Sequence, residues 1–338
     1  MARTHLPKLR GKPMHGFEYC KASDLATTLS LLAEPQTEGY AGGTDLLGEL
    51  KRGIRKVQRL VNLRGLTGLA KISKEDGGGL RIGALRTLEE IGQHPEIRNQ
   101  YPVLAQAISS VATPQLRNMG TLGGNLCQHP RCWYFRNRQF PCWLKGGKSC
   151  FAVDGENPYH AILGRGMCQA VHPSDLAPAL ISLGARIRIA GLPGNREIPL
   201  EELYQKPGPD HRRMTVLRLG ELLTEVFIQR PSNDSRGIYL KAMGRKAWAF
   251  ALVSVAVRIK VDKDELQEVR IVLGGVAPIP WRVKDAEDIL QGQRLTEDIV
   301  ARAAEGALAD ARPLRDNGYK IPLAKGLIRK ALVALLKA

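Results

Sequence analysis

The stretch Arg117-Asn118-Met119-Gly120-Thr121-Leu122-Gly123-Gly124-Asn125-Leu126-Cys127 decides how this chain is read. Glycine has no Cβ and tolerates positive φ, so the turn at 120–125 predicts unpaired backbone N–H groups and a main chain that a ligand can approach closely. A phosphate needs both. Residues 127–168 then carry five of the six cysteines, at positions 127, 132, 142, 150 and 168. Thiols this dense beside an anion-binding turn predict a second, sulfur-bound cofactor within reach of the first.

A related turn stands upstream, Tyr40-Ala41-Gly42-Gly43-Thr44-Asp45-Leu46-Leu47. In the functional reading its N–H groups and the Thr44 hydroxyl hold a pyrophosphate at the positive end of the short helix that follows. In the structural reading it is a tight turn, since Gly-Gly and Asp are ordinary turn residues. Recurrence of the same chemistry at 120–125 favours the first. The run from Gly77 to Gly83 imitates a dinucleotide fingerprint. Charged residues precede it where a strand belongs and strand-like residues follow where a helix belongs, so it reads as a hairpin.

Periodicity places the other elements. Strands are expected at Phe17–Tyr19, Val57–Leu63, Ala185–Ala190, Glu197–Leu200, Gly220–Gln229, Leu252–Val261 and Val269–Val276. Helices are expected after an N-cap at Ser23, at Thr87–His94, Tyr101–Val111 and Leu176–Leu183, and over Asp285–Leu290, Glu297–Ala311 and Pro322–Leu336. The loop-like Tyr204–Met214 predicts a domain junction.

With 338 residues, 43% hydrophobic and 25% charged, the chain is long enough for two or three domains with proper cores. No run reaches the ~18 apolar residues of a membrane span. The first residues are basic without the apolar core of a signal peptide, so no export by a signal of its own is expected. The net charge of +17 raises nucleic-acid binding as a hypothesis. Scattered basic residues and an aromatic content of only 5% argue against it and favour acidic partner subunits or anionic cofactors.

The two glycine motifs in this order resemble the paired flavin-binding loops of the FAD subunit (medium subunit) of the xanthine dehydrogenase, or molybdenum hydroxylase, family. Later segments agree: His172-Pro173-Ser174-Asp175, Gly220-Glu221-Leu222-Leu223, Lys241 in its strand, Gly274-Gly275-Val276-Ala277-Pro278 and Asn317-Gly318-Tyr319-Lys320. The resemblance covers about 17–336 and implies an α+β fold. A bipartite FAD-binding domain of two α/β subdomains (17–56 and 57–215) follows a basic leader (1–16) and precedes a C-terminal α+β domain of antiparallel sheet and helices (216–338). FAD would then contact residues 41–47, Gly120, Thr121, Gly123, Gly124, Asn125 and Leu222. Asp175 is open to two readings, a helix N-cap or a contact to the flavin or its ribityl chain. Lys241 is likewise a cation stabilising the reduced ring or a solvated strand-edge lysine.

The cysteine-rich insert, 127–168, resembles the form found in bacterial aldehyde oxidoreductases and 4-hydroxybenzoyl-CoA reductase, where such a loop binds a [4Fe–4S] cluster. Carried across, the ligands are Cys132, Cys142, Cys150 and Cys168, with Cys127 outside the set. Zinc is an alternative, though the close CxxC pairs usual for it are missing. Disulfides would need an oxidising compartment, and free structural thiols are the default only for isolated cysteines.

The function implied is electron transfer without a protein acid, base or nucleophile. A large molybdenum-cofactor subunit hydroxylates an aldehyde or N-heterocycle, and a small subunit with two [2Fe–2S] clusters passes the electrons to this chain. An external acceptor (NAD, quinone, ferredoxin or dioxygen) removes them from the flavin. The assembly would be a heterotrimer or its dimer, in the cytoplasm or carried to the periplasm by a partner's signal. The rivals are an aryl-CoA reductase subunit working in the opposite direction and, more remotely, a zinc-stabilised nucleic-acid-binding module.

Overall fold

The computed structural model describes residues 14–336. Most of the basic leader expected over 1–16 therefore lies outside the described residues. Three sheets organise the described chain. Strands β1 (Glu18–Lys21), β2 (Thr37–Tyr40) and β3 (Arg59–Asn62) form the first, parallel and in the order β1-β3-β2. Helix Leu25–Leu32 crosses between β1 and β2. Its N-cap is Asp24 rather than Ser23: the Asp24 carboxylate accepts from the Thr27 amide at 2.8 Å, and Ser23 only donates its hydroxyl to Asp24.

The second sheet joins β4 (Ile72–Lys74), β5 (Leu80–Gly83), β6 (Arg186–Gly191), β7 (Gly194–Pro199) and β8 (Leu222–Ile228) in the antiparallel order β4-β5-β8-β6-β7. The Gly77–Gly79 run is the turn of the β4–β5 hairpin, with Gly77 and Gly78 at positive φ. Two expected boundaries shift here. Strand β3 completes the first sheet, so the first subdomain extends past residue 56. Strand β8 sits at the centre of the second sheet, bonded to β5 and β6, so the FAD-binding unit runs past 215 and ends between β8 and the next strand. A strand is held by its neighbours' hydrogen bonds, and the loop-like Tyr204–Met214 is only an excursion within one unit.

The third sheet, β12-β11-β10-β9, is antiparallel: β9 (Ser235–Ala242), β10 (Val253–Asp262), β11 (Glu265–Gly274) and β12 (Trp281–Arg282). Period-2 alternation gives it two buried faces. Val253, Val255, Val257 and Ile259 point into one core with Ile271 and Leu273, closed by helices Lys284–Leu290, Glu297–Gly306 and Lys320–Leu336. Ala256, Val272 and Tyr239 point to the other side and join the core of the second sheet. Helix Leu176–Ser182 fills the space between. All seven of its residues are buried, as expected of a helix that is apolar all round.

Ile328 on the C-terminal helix is fully buried against the third sheet. Ile328→Ala should cost ~2–5 kcal/mol of unfolding free energy through the cavity it leaves, read from urea denaturation.

Candidate functional site

The two glycine loops meet in space. Gly42 lies so close to the Met119 carbonyl that a Cβ built on it would stand 1.9 Å from that oxygen. The glycine expected to admit a ligand is thus required first for loop-to-loop packing. Gly43 adopts φ +71, the left-handed region that glycine enters without strain. Among the described residues, the amides of Gly42, Gly43, Thr44 and Asp45 donate to no acceptor, leaving a run of N–H groups for an anion. The helix they introduce, Leu46–Lys51, is only six residues long, so these loop amides and not a strong macrodipole make the site.

The loops border a cleft of about 520 Å³. Ala41 to Leu46 line one side, Thr121, Gly123 and Gly124 another, and Leu222 and Leu223 of β8 the floor, with Arg55, Arg213 and Arg218 at the rim. Other expected contacts lie elsewhere. Leu47 packs in a small core with Leu50 and Leu60. The Gly120 carbonyl accepts from the Leu88 amide. Asn125 accepts from the Ser174 hydroxyl at 2.6 Å, tying the second loop to helix Leu176–Ser182.

Sequence reading missed the charge cluster beneath the cleft. Glu49 is only 1% exposed, and its carboxylate meets Arg55 at 3.3 Å, Arg136 at 3.1 Å and His129 at 3.1 Å. Asp45 bridges Arg131 and Arg136, both at 2.7 Å, and accepts from the His129 amide at 2.8 Å. Burial pushes both carboxyls up, but their cationic and hydrogen-bonding partners outweigh it and hold each below its ordinary value. Asp45 therefore anchors the loop to the insert. The one signal available in advance was a glutamate on the apolar face of a short helix.

Asp175 is neither a helix cap nor solvated. Ser174 takes the capping role by accepting from the Ala177 amide, whereas Asp175 accepts from the Tyr239 hydroxyl and from Lys241 Nζ, each at 2.7 Å. Lys241 is nearly buried too and also donates to the Ser110 carbonyl at 3.0 Å, so it is no solvated strand-edge lysine. Burial pushes the Asp175 carboxyl up and Lys241 pulls it back. The pair lies outside the first cleft. Asp175 instead borders a second cavity of about 380 Å³ with Cys132, His160, His172, Phe250 and Ser254.

Cys132, Cys142, Cys150 and Cys168 line one small cavity closed by Phe135, Trp143 and Leu144. Gly147 makes the turn between Cys142 and Cys150, where a Cβ would fall 1.6 Å from the Pro141 carbonyl oxygen. Burial lifts the Cys132 thiol to about 11 and Cys168 to about 12. Cys127 stands apart beside the first cleft, its thiol likewise pushed up to about 12 by burial. Among the described residues no three Cys, His, Asp or Glu side chains converge as a single metal ion requires.

Residues 15–231 match the family of the FAD binding domain in molybdopterin dehydrogenase, and residues 238–335 that of the CO dehydrogenase flavoprotein C-terminal domain. The FAD-binding subunit of aldehyde oxidoreductase from Escherichia coli (strain K12) is 37% identical over 324 residues, 94% of this chain and 98% of the relative. The chain belongs to the FAD-binding subunits of the molybdenum hydroxylases. The nicotinate dehydrogenase FAD-subunit of Eubacterium barkeri is 28% identical, with 88% of this chain and 87% of the relative covered. In fold, the chain resembles carbon monoxide dehydrogenase from Hydrogenophaga pseudoflava, with a TM-score of 0.77 and 23% identity over 96% of this chain and 98% of that one. Quinoline 2-oxidoreductase from Pseudomonas putida 86 aligns with a TM-score of 0.73 and 25% identity over the same shares. The gap between the two family matches, 232–237, overlaps the junction between β8 and β9.

Gly42→Ala should force the two loops of this flavin subunit apart. A loss of ~1–3 kcal/mol in stability is expected from the overpacking, together with weakened retention of FAD, read by thermal melting and bound-flavin absorbance. His172 supplies a pH test. Burial drives its pKa from 6.5 to about 3, so it stays neutral in the folded chain, while the unfolded chain binds a proton below 6.5. Stability should therefore be full above 6.5 and fall as pH drops toward 3, by up to about 1.4 kcal/mol per pH unit for this proton. His172→Gln should flatten that slope in urea titrations repeated across the range.

Proposed function

We propose that this subunit carries FAD and a [4Fe–4S] cluster and passes electrons from a molybdenum-containing partner to an external acceptor. The observation that carries the flavin site is the run of unpaired amides at 42–45, packed against the 120–125 loop around one cleft of a FAD-binding family member. Those amides and the Thr44 hydroxyl hold the pyrophosphate, with Arg55, Arg213 and Arg218 supplying positive charge at the rim. Leu222 and Leu223 border the ring. Asp175 and Lys241 form a preset buried pair outside this cleft.

The donor set fits the cluster: four thiols line one small apolar cavity, the number of thiolates a [4Fe–4S] cluster takes. Because burial keeps the unligated Cys132 and Cys168 thiols protonated, iron binding must release their protons. When bound, FAD supplies two-electron storage and the cluster one-electron transfer.

The partners inferred are a large molybdenum-cofactor subunit and a small [2Fe–2S] subunit, and the likeness to an aldehyde oxidoreductase subunit favours aldehyde oxidation. The cytoplasm, where glutathione keeps thiols reduced, is the compartment inferred. No helix among the described residues is long and apolar enough to cross a membrane.

The chain purified without air should contain FAD with about four iron and four acid-labile sulfide. Cys142→Ser and Cys150→Ser should lose the iron and keep the flavin. FAD without iron in such a preparation would remove the cluster from this proposal, and zinc without flavin would remove both sites.

A further inference from the structure

We propose that His160 donates a hydrogen bond from Nε2 to the sulfur of Cys132, and that this bond raises the reduction potential of the cluster Cys132 helps to hold. The inference rests on the cluster reading above. His160 Nε2 stands 3.3 Å from Cys132 Sγ, and the side chain is 3% exposed. An iron-bound thiolate carries no proton, so the shared proton must sit on Nε2. A neutral imidazole then leaves Nδ1 bare, and Nδ1 is indeed buried without a hydrogen-bond partner.

The ring is held from its backbone. The His160 carbonyl accepts from Lys320 Nζ at 3.0 Å and from Asn317 Nδ2 at 3.1 Å, and the His160 amide donates to the Asn157 carbonyl. Lys320 is fully buried, pairs with no carboxylate among the described residues, and donates a second bond to the Gly275 carbonyl at 2.7 Å. The Trp133 ring meets the imidazole edge to face at 5.9 Å. Asn317, in the loop before helix Lys320–Leu336, and Lys320, at its start, belong to the C-terminal domain, so that domain positions a donor on a thiol of the insert. Asn317 and Lys320 are positioning residues and touch no sulfur.

Reduction adds one negative charge, which the ligand sulfurs share. An N–H donor in a water-poor setting stabilises the more negative state, and hydrogen bonds to the sulfurs are among the determinants of cluster potential. Removing the donor lowers the potential.

The test is a potentiometric titration of the cluster in the full-length chain, followed by electron paramagnetic resonance, with iron, sulfide and flavin measured on each variant. His160→Leu should shift the reduction equilibrium constant about tenfold, or about 59 mV more negative for one electron. His160→Gln, which keeps an N–H donor, should fall between the two. Full iron content with an unchanged potential in His160→Leu overturns this inference and leaves the cluster standing. No iron in the unsubstituted chain overturns both. A second measurement needs no variant. With nitrogen-15-labelled histidine, pulsed resonance of the reduced cluster should show coupling to an imidazole nitrogen, and its absence overturns the bond.

Discussion

Two paired carboxylates, the half-buried Asp45 and the buried Glu49, hold the site together. They lie one helical turn apart, directly behind the first glycine loop, and an unpaired buried carboxylate would cost several kcal/mol. Their cations come from two places: Arg55 from the segment after the short helix, Arg131 and Arg136 from the start of the cysteine insert. The insert therefore cannot swing away from the flavin loop without stranding charge in the interior. Electron transfer between two cofactors requires a fixed separation, and this cluster of charges supplies it at one end.

The other end of the insert is held by hydrogen bonds instead of charge. Asn157 and Asp316 exchange bonds between backbone and side chain, the amides of Ile162 and Leu163 reach the Val276 carbonyl, and the Arg312 amide reaches the Ile162 carbonyl. Between these fixed ends the insert has little regular structure. It is packed by its own rings, Tyr134, Phe140 and Phe151 among them, in mostly edge-to-face contacts worth ~0.5–1.5 kcal/mol per pair. The insert is thus tied to the FAD-binding loop at one end and to the C-terminal domain at the other.

Local chemistry was legible where it repeated or stood in a strict period. The β4–β5 hairpin, the strands β10 and β11 and the apolar helix Leu176–Ser182 follow directly from turn residues and alternation. Ser23 was mistaken for a cap because Asp24 beside it has the same chemistry, and geometry alone selects between them. The boundary at 215 failed because β8 is far in sequence from β5, and a loop-rich stretch before it resembles a linker. Asp175 carried a cap's signature while Ser174, one residue earlier, did the capping.

From its residues alone the chain determined the two glycine loops, the grouping of five cysteines, the family and the α+β class, because each is written in local composition and order. Tertiary structure decided which residues meet. It paired Asp175 with Lys241 across 66 positions and Asp45 with Arg136 across 91, and set His160 against Cys132. It also gave Gly42 a packing requirement against Met119 beside its place in the cleft. The reason is physical: charge burial, close packing and hydrogen-bond partners are properties of distance in space, and sequence separation does not report that distance.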